Sequence, residues 1–182
     1  MAKVAVILAE GFEEIEALTP VDVLRRANIA CDTIGLTNQK VTGSHAIPVL
    51  ADKVFDGDLS AYDMIVLPGG LPGAHHLRDH EEMIAALQKE AAAGKYIAAI
   101  CAAPVVLDRA GLLAGKDYTC FPGQEANIQQ GQHQTDLVVV DGHIVTSRGA
   151  GTALAFSYKL VDLLGGNGAQ LAQTMVYDQL FQ

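Results

Sequence analysis

Short apolar runs recur along the chain: Val4 to Leu8, Thr33 to Leu36, Met64 to Leu67, Tyr96 to Ile100, Leu137 to Val140 and Ile144 to Thr146. None alternates polar with apolar positions, the pattern expected of strands in a parallel sheet covered on both faces. Between them, Glu14 to Ala27, Glu81 to Ala93, Pro104 to Ala110 and Thr152 to Leu164 carry apolar residues at helical spacing. Strands alternating with helices predict an α/β fold, a doubly wound three-layer sandwich with a mostly parallel sheet. Two pieces break the alternation. Asp141-Gly142 reads as a two-residue turn joining the last two runs into a small antiparallel hairpin, and a second hairpin is predicted through Val41 to Leu50. Near the first helix, Thr19-Pro20-Val21-Asp22 reads as an N-cap, a first-turn proline and a capping carboxylate. That helix either kinks at Pro20 or begins there.

Charge and composition narrow the function classes. Of 182 residues, 12 are Lys or Arg and 21 are Asp or Glu, giving a net charge of −9. No basic footprint for nucleic acid is present. Half the residues are hydrophobic and only 18% are charged, which points to a large covered interior and excludes disorder. No linker or repeat divides the chain, so residues 1–182 are expected to form one domain. The longest run without a charged or strongly polar side chain, Tyr96 to Leu107, is interrupted by Pro104 and is too short for a membrane span of about 20 residues. The first apolar stretch is also too short for a secretion signal, so a cytoplasmic location is expected. Cys31, Cys101 and Cys120 are odd in number and widely spaced, encoding neither a disulfide framework nor a Cys-x-x-Cys metal site. His75, His76 and His80 read as a solvated face rather than a ligand set. No metal and no cofactor is expected.

In an open α/β sheet the loops after the strands meet in one crevice, which confines the search for chemistry. Cys101 follows the run Tyr96 to Ile100 and precedes a helix, with small Ala99 and Ala103 on either side. This is the plan of a nucleophile elbow. A helix N-terminus favours a thiolate, although a buried, inert cysteine is the ordinary alternative. Cys31 and Cys120 fall within expected strands. The acidic cluster Glu10, Glu13, Glu14 and Glu16 suits a helix start, and Glu16 is also placed to face the crevice. Gly69-Gly70 lacks the spacing of a phosphate loop; its N–H groups suit an oxyanion pocket or an ordinary tight turn. Arg148-Gly149-Ala150-Gly151-Thr152 joins a cation to a helix start and suits a carboxylate or phosphate, or else Thr152 only caps the helix.

Four segments, Gly11 to Glu16, Leu67 to Gly70, Ala98 to Pro104 and Thr146 to Thr152, together resemble the ThiJ/PfpI superfamily, in particular the branch of the Parkinson-associated protein deglycase and its bacterial relatives. The resemblance implies a flavodoxin-like fold, a homodimer, Cys101 as the reactive cysteine and Glu16 as the carboxyl bonded to its sulfur. Gly70 and Ala102 would line an oxyanion pocket, with Gly69, Arg148, Gly149 and Ala150 around it. Ala102 stands where the peptidase-like branch has histidine, and neither His133 nor His143 begins the His-x-Glu of glutamine amidotransferases, so a cysteine peptidase or amidase is the less favoured outcome. Phe121 takes the place of a pocket histidine, and His45 that of an arginine near the dimer-related pocket. The expected activity is that of a glyoxalase or deglycase on methylglyoxal, glyoxal or their adducts with protein. The alternative is an oxidative-stress sensor or chaperone using the same cysteine without turnover.

Overall fold

The computed structural model describes residues 1–181. In chain order its strands and helices are β1 (Lys3–Leu8), α1 (Glu14–Arg26), β2 (Ala30–Gly35), β3 (Lys40–Thr42), β4 (Pro48–Leu50), β5 (Lys53–Val54), β6 (Met64–Leu67), α2 (Gly73–Asp79), α3 (Glu81–Ala92), β7 (Tyr96–Ile100) and α4 (Pro104–Arg109). There follow β8 (Asp117–Tyr118), β9 (Gln132–His133), β10 (Val138–Asp141), β11 (Ile144–Ser147), α5 (Ala153–Leu163) and α6 (Gly168–Thr174). Seven strands form one sheet in the order β10-β11-β7-β6-β1-β2-β5, parallel throughout except for the β10–β11 hairpin.

The unalternating apolar runs have the expected cause. Along β1, Ala5 and Ile7 face one core while Val4, Val6 and Leu8 face another. The first core is closed by Met83 and Leu87 of α3 and Val106 and Leu107 of α4. The second is closed by Ala17, Val23 and Leu24 of α1 and Phe156 and Leu160 of α5. With helices on both faces of the sheet, neither face of a central strand meets water. No helix among the described residues is long and apolar enough to cross a membrane.

Three expectations need correction. α1 does not begin at Pro20; it begins at Glu14, capped by the Glu13 side chain, and runs through the proline. Pro20 has no N–H for the Glu16 carbonyl, and the packing of α1 against the sheet and α5 outweighs that loss. The terminal turn is shifted by one residue. Asp141 pairs with Ile144, so the loop is Gly142-His143, and only Gly142 takes a positive φ, 61°, as in a type II′ turn with glycine first. Cys120 lies beyond the end of β8, not in a strand. The hairpin through Val41 to Leu50 is present as β3 and β4, forming a separate two-stranded sheet.

Candidate active site

β1, β6 and β7 are neighbours and point their carboxyl ends the same way. The loops that follow them bring Glu16, Gly69-Gly70 and Cys101 together although they are far apart in sequence. Cys101 sits in the turn between β7 and α4 at φ 66°, a left-handed conformation that an L-residue rarely adopts. Its N–H donates to the Ser147 carbonyl at 3.0 Å, and its carbonyl accepts from the Phe121 N–H at 2.9 Å. The backbone of Cys101 is therefore held from β11 on one side and from the segment after β8 on the other. α4 begins only at Pro104, three residues further on.

Glu16, in the first turn of α1, is 1% exposed. Its Oε2 accepts the Gly69 N–H at 2.9 Å, and its carboxyl is hydrogen-bonded to the Cys101 thiol. Burial pushes the carboxyl up to about 7, and neighbouring Glu13 adds to the effect. The thiol is also pushed up, by burial and then by Glu16, while the N–H groups of Ala102 and Gly70 point at the sulfur and oppose the rise. The thiolate-favouring helix terminus expected from the sequence is thus outweighed. Two adjoining anions are disfavoured here, so ionisation of either group opposes that of the other.

A cavity of about 500 Å³ opens above the sulfur, bordered by Glu13, Glu14, Ile15, Glu16, His45, Ile47, Cys101, Phe121 and Ala150. Cys101 is partly exposed in it, whereas Cys31 and Cys120 are buried. His45, expected near a dimer-related pocket, borders this chain's own. Its N–H donates to Glu14 Oε1 and its Nδ1 bonds Glu14 Oε2, each at 2.8 Å. The bond to Glu14 raises the imidazole above its ordinary value. Burial raises the Glu14 carboxyl, but the His45 hydrogen bonds more than offset it and leave it lowered. The acidic cluster is divided in its duties. Glu13 caps the helix, Glu14 holds His45, Glu16 faces the thiol and Glu10 accepts the Thr42 N–H at 3.1 Å.

The remaining expected pocket residues are split. The Gly69 N–H is committed to Glu16, and that of Gly149 donates to Thr152 Oγ1 at 3.1 Å, which leaves Gly70 and Ala102 as the donors facing the sulfur. Arg148 does not border the thiol. It lines an adjoining cavity of about 380 Å³ with Phe121, Leu137 and Gly149, and its Nη1 donates to the Thr135 carbonyl at 3.3 Å. Ala150 borders both cavities. Two of the three histidines read as a solvated face have partners: His76 Nδ1 bonds the Glu10 carbonyl at 2.9 Å, and the His80 side chain caps α3. Two groups with metal-ligating side chains escaped the sequence reading, Glu13-Glu14-His45 and Cys120-Glu125-His133, because no short spacing announces either.

Comparison with known proteins agrees with this geometry. The crystal structure of Drosophila melanogaster DJ-1beta superposes with a TM-score of 0.91 at 36% identity, covering 97% of this chain and 98% of that one. A deglycase of Thermococcus kodakarensis is 33% identical over 89% of this chain and 99% of its own length. DJ-1 homolog B of Arabidopsis thaliana is 38% identical over 94% of this chain, which spans only 40% of that protein's length. The DJ-1/PfpI family model matches residues 2–163. With the cysteine elbow, its buried glutamate partner and these likenesses in agreement, the chain belongs to the DJ-1/PfpI family.

Proposed function

We propose that the chain is a cysteine-dependent enzyme acting on methylglyoxal, glyoxal or the adducts they form on proteins. The observation that carries the reading is the buried Glu16 carboxyl set against the Cys101 thiol at the floor of an open pocket. The likeness to the Thermococcus deglycase supports the same substrate class. With the proton on Glu16, the Cys101 thiolate attacks the aldehyde carbon of methylglyoxal. A C–S bond forms and the carbonyl electron pair moves to oxygen, where the Glu16 proton neutralises it to give a hemithioacetal. Gly70 and Ala102 are the N–H groups placed to steady that oxygen as its charge develops. Glu16, now a carboxylate, takes the proton from the former aldehyde carbon and returns it to the neighbouring carbon. The hydroxyl proton on the first carbon passes to the oxygen of the second, so the first carbon is oxidised to a thioester as the second is reduced to an alcohol, and water cleaves the C–S bond to release lactate and the thiol. The test is lactate formation without glutathione: Cys101→Ala should abolish it, and wild-type protein no faster than that variant would refute the proposal.

The sulfur's surroundings also favour a second reading, a redox sensor. A sulfinate on Cys101 would find the Gly70 and Ala102 N–H groups and a protonated Glu16 as donors. Mass spectrometry after mild peroxide treatment should then find two added oxygens on Cys101 in a protein without dicarbonyl turnover. A peptidase is less well supported, because the proton partner of Cys101 is a carboxyl group and His45 is tied to Glu14.

A further inference from the structure

The segment between β8 and β9 folds back on itself and gathers three side chains that the chemistry above does not use. Cys120 lies just beyond β8, Glu125 is in a single 3₁₀ turn (Gln124–Asn127), and His133 ends β9. The parallel register sets His133 opposite Tyr118, with the two rings 5.6 Å apart. One donor atom from each of Cys120, Glu125 and His133 lies within 4.8 Å of the other two, and Cys120 Sγ is 3.9 Å from Glu125 Oε2. Cys120 is fully buried. His133 Nε2 is also shut off from water and has no hydrogen-bond partner. A buried polar atom without a partner calls for an explanation, an ion among them.

We propose that Cys120, Glu125 and His133 bind one zinc ion, with a fourth position left for water. The donor set of one sulfur, one oxygen and one imidazole nitrogen matches zinc, which takes all three at about 2.0–2.3 Å in tetrahedral geometry. Magnesium and calcium prefer oxygen donors only. Such bond lengths put donors about 3.3–3.8 Å apart, so closing the cluster on an ion needs little rearrangement. Glu125 is already oriented, because its Oε2 accepts the Gly123 N–H at 2.7 Å, the kind of outer support that metal ligands use. On binding, the Cys120 S–H bond breaks, its electron pair becomes the bond to zinc, and the proton leaves to solvent. The next residue, Phe121, walls the Cys101 cavity and donates its N–H to the Cys101 carbonyl. A zinc ion here would fasten the pocket wall without touching the reactive thiol.

Cobalt(II) titration of the full-length Cys101→Ala protein tests this, because that variant removes the competing thiol. One equivalent should bind, with a sulfur-to-cobalt charge-transfer band and the intense visible bands of a tetrahedral site, and zinc should bleach both. Cys120→Ser should remove the charge-transfer band. His133→Gln, a half-buried position, and Glu125→Gln should each weaken zinc about 10–100-fold in competition with a chromophoric chelator, with circular dichroism checking that each variant is folded. The proposal is overturned if Cys101→Ala binds no cobalt, if the bound cobalt shows no sulfur band, or if folded His133→Gln and Glu125→Gln bind zinc as tightly as their parent.

Discussion

Replacing Glu16 by Gln should remove a specific pH dependence from the stability of the fold. In the unfolded chain this carboxyl ionises near its ordinary 4.5, whereas burial holds it at about 7 in the folded protein. Between those two values the folded state keeps a proton that the unfolded state has lost, so stability falls as pH rises. The loss is complete above about pH 7 and absent below about 4.5. A tenfold difference in proton affinity is worth ~1.4 kcal/mol, so the displacement of the Glu16 carboxyl from 4.5 to about 7 destabilises the wild type by about 3 kcal/mol in alkaline solution. Glutamine keeps the shape and the acceptor for the Gly69 N–H but has no proton to release. The other titrating groups are common to both proteins, so the difference between their unfolding free energies isolates this carboxyl. Urea unfolding from pH 4.5 to 8.5 measures it. Relative to Glu16→Gln, the wild type should lose about 3 kcal/mol across that range. Parallel stability profiles would show that Glu16 does not hold the proton, and the raised carboxyl on which the chemistry rests would go with it.

Other outcomes follow from the same geometry. Gly69→Ala would place a methyl 2.6 Å from Glu16 Oε2, 2.7 Å from Cys101 Cβ and 2.9 Å from the Ile100 carbonyl; it should destabilise by about 1–3 kcal/mol and lower lactate formation at least ~10-fold, so an unaltered variant would show that the floor of the site is looser than described. Brief alkylation followed by peptide mapping should label Cys101 first, because Cys31 and Cys120 are buried, and label appearing first on either of those would contradict the pocket. Ile15, Leu18, Ile47 and Leu50 are exposed, and Ile15 and Ile47 lie on the rim of the cavity. We therefore expect a homodimer of twice 19.2 kDa in light scattering across a dilution series, weakened by Ile47→Asp; a monomer at micromolar concentration would refute it. Asp32 is held at about 2 despite the opposing effect of burial, by hydrogen bonds from Lys53, Tyr62 and Lys3. Its contribution should be present above about pH 4 and fade as pH falls through 2, so Asp32→Asn should approach the wild type in urea unfolding only in acid.

The parallel sheet was legible because its strands are greasy on both sides: Val4 and Val6 bury against α1 and α5, and Ala5 and Ile7 against the opposite helices. Local signals misled where tertiary contacts outweighed them. Thr19-Pro20-Val21-Asp22 has the chemistry of a helix start, yet Pro20 lies buried mid-helix because the same face of α1 must cover the sheet. The turn signal at Asp141-Gly142 located the hairpin but slipped by one residue, since glycine at the first central position selects a different turn. Cys101 and Glu16 were found from their positions after strands, which the topology fixes. The Glu14–His45 contact and the Cys120-Glu125-His133 cluster were not found. The first joins residues from α1 and the β3–β4 hairpin, and the second depends on the pairing of β8 with β9. Neither leaves a local pattern in the chain.

The left-handed backbone of Cys101 bears on how any variant of this protein should be compared. An L-residue in that conformation is strained by about 1–2 kcal/mol, and glycine is the residue that relieves it. Selection for a more stable chain therefore favours glycine at this position, while selection for a thiol opposes it, so the elbow is a point of direct trade-off between stability and activity. An alanine control inherits the strained backbone and reports only the missing sulfur. A glycine control also releases the strain and should unfold later than the wild type, so a search of random variants for thermal tolerance alone would be drawn toward loss of the nucleophile.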